Sequence, residues 1–93
     1  MANIKGSLFI RRYGIFYKVI TIRRTEDCYW ILNCLTLETK QKKVLKYKLS
    51  GMLEALELAS KKMKYPQDII NNIPNIKVAV DAAAPIFWAS NAR

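Results

Sequence analysis

Sixteen Lys and Arg stand against seven Asp and Glu in a chain of 93 residues with no His, a formal charge of +9. A chain this short holds one domain with a modest core, and its ordinary apolar content excludes general disorder. No apolar run approaches the roughly 20 residues that span a bilayer, and the missing His removes the commonest general base and metal ligand.

The first candidate strand is Ser7–Ile10, followed by "RRYG", in which Gly14 can supply the positive φ of a tight hairpin. Ile15–Ile22 is rich in β-branched and aromatic residues and reads as a second strand, with Tyr17, Val19 and Thr21 alternating against Phe16, Lys18, Ile20 and Ile22. A polar turn at Arg24–Asp27 precedes "CYWILNCLTL", apolar on both alternating sets, which predicts a long strand covered on both faces. After "ETKQKK", a fourth strand sets Leu45, Tyr47 and Leu49 against Val44, Lys46 and Lys48. Ser50 has the chemistry of an N-cap, and Met52, Leu56, Ala59 and Met63 then recur at helical spacing, with Glu54, Glu57 and Lys61 off that stripe. Beyond Tyr65, Pro66 and Pro74 bracket a short helical stretch, "QDIINNI", while "IKVAVDAAA" fits either period.

These elements predict an α+β fold in a single domain, residues 1–93. It comprises a four-stranded antiparallel meander over residues 1–49 and an amphipathic helix packed on one face over 50–64, and a short helical or irregular C-terminal segment over 65–93 completes it. The order of four strands and then a helix is similar to that of some single-strand-binding cofactor domains, and a basic sheet plus helix loosely resembles the arm-binding domains of phage integrases. Both are likenesses of topology, with no motif that carries residues across.

Charge is unevenly placed. Residues Met1–Lys48 hold eleven basic and three acidic side chains, 11 − 3 = +8, and the remainder holds five and four, 5 − 4 = +1. In a meander the first and third turns emerge at one end of the sheet, so Arg11, Arg12, Lys40, Lys42 and Lys43 converge there with Tyr13 among them. Arg23 and Arg24 mark the opposite end. Lys46 and Lys48, on the outward set of the fourth strand, extend the patch, and Lys18 joins if its face is open. Cations interleaved with aromatic residues suit single-stranded nucleic acid, where phosphates meet charge and bases stack; Tyr13, Phe16, Tyr17, Tyr29, Trp30 and Tyr47 are the candidate platforms.

No P-loop, GxGxxG or GxSxG motif occurs, and Cys28 and Cys34 lack CxxC spacing and a His to activate a thiolate. The expectation is therefore a non-enzymatic protein without cofactor or metal that binds nucleic acid with weak or no sequence specificity. The alternative is a small inhibitor or adaptor, of the kind phage and plasmids encode, docking its cations on an acidic protein surface. On strand spacing, Cys28 and Cys34 would lie too far apart to bridge, which fits a reducing cytoplasm. Lys5 and the short apolar stretch after it do not match a secretory leader, so a soluble intracellular protein is expected. Three large apolar residues, Ile86, Phe87 and Trp88, sit in the tail as the last piece of core or as a contact for a partner, most simply a second copy in a homodimer.

Overall fold

The computed structural model describes residues 5–48, 51–76 and 86–92. Five strands, β1 (Lys5–Arg12), β2 (Ile15–Arg24), β3 (Tyr29–Leu35), β4 (Lys42–Lys48) and β5 (Ile86–Ala92), form one sheet in the order β4-β3-β2-β1-β5. Helices α1 (Met52–Lys62) and α2 (Gln67–Asn72), with a 3₁₀ turn at Ile73–Asn75, lie between β4 and β5 in the chain. Strands β1 to β4 are the expected antiparallel meander. The tail differs from its expected form: β5 pairs parallel with β1 and closes that edge. "QDIINNI" is helical as read, whereas most of "IKVAVDAAA" lies outside the described residues, as do Leu49 and Ser50.

The arginine pair that looked like part of the first turn belongs to β1, and the turn is only Tyr13-Gly14. Both residues have positive φ, 52° and 77°, the pattern of a type I′ hairpin, whose twist matches that of its strands. Strand β2 does not alternate evenly either. Leu8 pairs with Ile20 and Phe9 with Lys18, so Val19 is an extra residue at a bulge, and Val19 and Ile20 are both buried. Cys28 is in the β2–β3 turn at φ +65°, not in a strand; both thiols are free, and Cys34 is buried. Burial pushes the Cys34 thiol up to about 11.

One face of the sheet is core. Leu8, Ile10, Ile20, Ile22, Trp30, Leu32 and Phe87 pack there with Leu56, Ala59, Ile69 and Ile73 of the helical layer, α1 against β3 and α2 against β5. Each large side chain so buried contributes about 1.5–3 kcal/mol. Gly51, not Ser50, is the N-cap of α1, and it makes no side-chain bond. The helix ends in a Schellman arrangement with Lys64 at φ +57°: its N–H bonds the Lys61 carbonyl at 3.1 Å, and the Tyr65 N–H bonds the Ser60 carbonyl at 3.0 Å. That reversal turns Tyr65 into the sheet, where its hydroxyl lies 2.7 Å from the Leu35 carbonyl and 3.1 Å from that of Val19. These carbonyls flank the place where the β2–β3 ladder ends, beside the bulge.

Candidate functional site

The face away from the helices carries the charge. Pairing across the sheet sets its side chains in rows, with neighbouring rows on one face two residues, or about 6.6 Å, apart. One row holds Lys46, Ile31, Arg23 and Lys5 across β4 to β1, with Lys48 over Tyr29 beside it. The next is neutral: Val44, Asn33, Thr21, Ser7 and Ile86. Beyond it come Lys42 opposite Leu35, then Lys18, Phe9 and Trp88 across β2, β1 and β5, and finally Phe16 opposite Arg11. A neutral polar strip thus runs across the sheet with cations on both sides.

No strand contains an Asp or Glu; every described carboxylate is in a turn or a helix. Among the described residues the strand cations make no ion pair, and the pair that forms, Lys61 to Glu57 at 3.5 Å, is on α1. Four of those on this face rest instead on rings. Lys46 sits 4.4 Å and Lys48 5.7 Å from the Tyr29 ring, Arg11 5.5 Å from Phe16, and Lys18 5.7 Å from Phe9. A ring holds a cation by its quadrupole without neutralising it, so the face keeps its full positive field. Two shallow clefts indent it and share Thr21 and Asn33: one of about 300 Å³ reaches Lys5 and Arg23, the other, of about 360 Å³, Lys18 and Lys42.

Of the residues singled out in the sequence, Arg11, Lys18, Arg23, Lys42, Lys46 and Lys48 come together on this face. Arg12, Arg24 and Lys43 do not. Strand alternation turns them to the helix side, where Arg12 and Lys43 line a pocket of about 430 Å³ with the third turn, Met63 and Tyr65. The first and third turns are neighbours, as a meander requires, and Lys40 lies 5.9 Å from the Tyr17 ring. Thr36 holds that third turn in shape: its Oγ1 accepts the Gln41 N–H at 2.9 Å, and its carbonyl accepts the Lys40 N–H at 3.0 Å. At the other end Arg24 donates to the Cys28 Sγ at 3.1 Å and lies 5.7 Å from the Trp30 ring.

The aromatic candidates divide in the same way. Trp30 is core, Tyr17 and Tyr47 pack against the core, and Tyr13 is exposed at the hairpin tip with Arg12 5.7 Å from its ring. Phe16 and Tyr29 are on the open face. In the tail, Phe87 is fully buried, which is the core reading of that segment, and Ile86 and Trp88 are exposed on the open face. Sequence reasoning missed Lys5, Ser7, Phe9, Thr21 and Asn33. The alternation of Leu8 and Ile10 against Ser7, Phe9 and Arg11 was the available signal for β1, and for β2 the bulge hid it.

The open sheet holds no acid–base or nucleophile constellation, and among the described residues no group of three or more His, Cys, Asp or Glu is placed to hold a metal ion. No described helix is long and apolar enough to cross a membrane. No family model, no curated protein and no solved structure matches the chain.

Proposed function

We propose that this protein is a non-enzymatic nucleic-acid-binding protein that holds phosphates on its open sheet face. The carrying observation is the seven cations there, none in an ion pair among the described residues: Lys5, Arg11, Lys18, Arg23, Lys42, Lys46 and Lys48. A polyanion gains from such a field mainly through release of its condensed counterions, so affinity falls steeply with salt and depends little on sequence. Seven contacts to a single strand give a slope of about −0.7 × 7, or about −5, in log K against log salt. That is a loss of about 10³ between 50 and 200 mM.

Two pairs of neighbours on opposite faces make the test. Arg11→Ala with Lys42→Ala removes two open-face charges, while Arg12→Ala with Lys43→Ala removes two from the helix side at the same end. Fluorescence anisotropy with labelled oligonucleotides should show the slope of the first variant fall to about −3.5, and its loss over the same salt range to about 10². The second variant should keep the parent slope. Equal effects in the two folded variants would refute the assignment to this face. No binding at 50 mM would refute nucleic acid as the ligand and leave an acidic protein surface as the partner of the charge.

A further inference from the structure

Phosphate contacts alone do not account for three rings gathered on the wet side of a sheet. The Trp88 ring lies 5.2 Å from Phe9 and 5.0 Å from Phe16, tilted by 34° on the first and edge-on to the second. Trp88 is 48% and Phe16 55% exposed, so both have free ring surface. Arg11 and Lys18 flank the cluster at its Phe16 and Phe9 rings. Leaving rings of this size in water forgoes burial that the core face gives to Trp30 and Phe87.

We infer that the Phe9–Phe16–Trp88 cluster is a base-stacking platform, and that the nucleic acid this face takes is single-stranded. The inference rests on the phosphate-binding reading above and names its substrate class. Unpaired bases offer π faces to rings, with the phosphates beside them in reach of Arg11 and Lys18; a duplex keeps its bases stacked on each other and presents only edges and backbone. Beside the platform, the Ser7–Thr21–Asn33 row lines the clefts, with Thr21 and Asn33 in both and Ser7 in the one that reaches Lys5 and Arg23. It supplies neutral donors and acceptors of the kind that meet base edges. A second copy of this chain does not fit the same face, because a two-fold contact would set seven cations against seven.

Single strands of equal length and charge, with a duplex of the same length beside them, separate the two readings. Thymidine and uridine 12-mers, a fully abasic 12-mer and a duplex should be compared at 50 mM salt. The platform predicts that both base-bearing single strands bind more tightly than the abasic strand and the duplex. Trp88→Ala should weaken binding to them by about 5- to 150-fold, the loss that accompanies one stacked base, and leave the abasic strand unaffected. Trp88→Tyr, which keeps a π face, should retain most of the affinity, and Phe16→Ala provides a second variant with far-ultraviolet circular dichroism as the check on folding. Equal affinity for abasic and base-bearing strands, or a folded Trp88→Ala protein that binds as the parent does, overturns the platform and leaves the phosphate-binding face standing. Failure of every oligomer to bind overturns both.

Discussion

Replacing Tyr65 by Phe removes one oxygen from the junction of sheet and helices. That hydroxyl serves the Leu35 carbonyl at 2.7 Å and lies 3.1 Å from the Val19 carbonyl, at a place from which water is largely excluded. Its loss forfeits a hydrogen bond and leaves a buried carbonyl short of a partner, a combined cost of about 1–3 kcal/mol. In a domain of this size each kcal/mol lowers Tm by about 4–8 °C, so a mid-range loss of about 2 kcal/mol lowers it by about 8–16 °C. Urea unfolding should show the midpoint fall by about 1 M with the slope unchanged, since the surface exposed on unfolding is the same. The damage should also be local, with faster amide exchange around Ile20 and Cys34, where the β2–β3 ladder ends, than at the β1–β2 pairs nearer the hairpin. A midpoint within about 0.2 M of the parent would show that the hydroxyl adds nothing to the join, and the reasoning would be wrong.

Three further outcomes follow from the described geometry. Burial raises the Cys34 thiol from its ordinary 9.0 to about 11 and raises Tyr65 as well, so the unfolded chain gives up these protons first. Stability tied to the thiol is intact below about pH 9 and is lost between about 9 and 11, on the order of 2 kcal/mol in all; urea midpoints measured across that range should fall more steeply for the parent than for Cys34→Ala, and parallel curves would contradict this. Tyr13→Asn places the residue type favoured at positive φ beside Gly14 and should stabilise by about 1 kcal/mol in thermal melts, because the ring it removes is 75% exposed and lies outside the core. Ser60 has a fully buried hydroxyl in a helix without a hydrogen-bond partner among the described residues, so Ser60→Ala should stabilise by about 1 kcal/mol, and a lower urea midpoint would count against it.

Periodicity made the meander and α1 legible, because a half-buried strand and an amphipathic helix write their burial into residue spacing. What stayed hidden was non-local or carried by an unexpected residue. Strand β5 pairs with β1 across nearly the whole chain, and no local pattern in "IFWASNA" announces a partner that far away. Positive φ occurs at Tyr13, Cys28, Lys40 and Lys64 as well as at Gly14, and only the glycine signals it in the sequence. The bulge at Val19 shifts alternation by one, which is why simple alternation groups Thr21 with Tyr17, whereas it shares the open face with Phe16 and Lys18. For the site, charge showed that the sheet half mattered. Apolar residues on both sets of β3 suggested a second covering layer, but no described element lies over Tyr29 and Ile31, and Lys46 and Lys48 rest over the Tyr29 ring instead. Separating Arg11 from Arg12, and Lys42 from Lys43, required the register.

The parallel β5 strand also has a consequence for how the chain is made. Synthesis reaches Lys48, and with it the whole meander, 38 residues before Ile86 (86 − 48 = 38). At about 5–20 residues per second the outer edge of β1 waits about 2–8 seconds for its neighbour. Through that interval a row of backbone N–H and C=O groups beside Leu8 and Ile10 is open to any extended segment, including β5 of another nascent chain on the same message. Two chains that exchange this strand would each complete a five-stranded sheet with every pairing intact, joined by the segments that lead into β5.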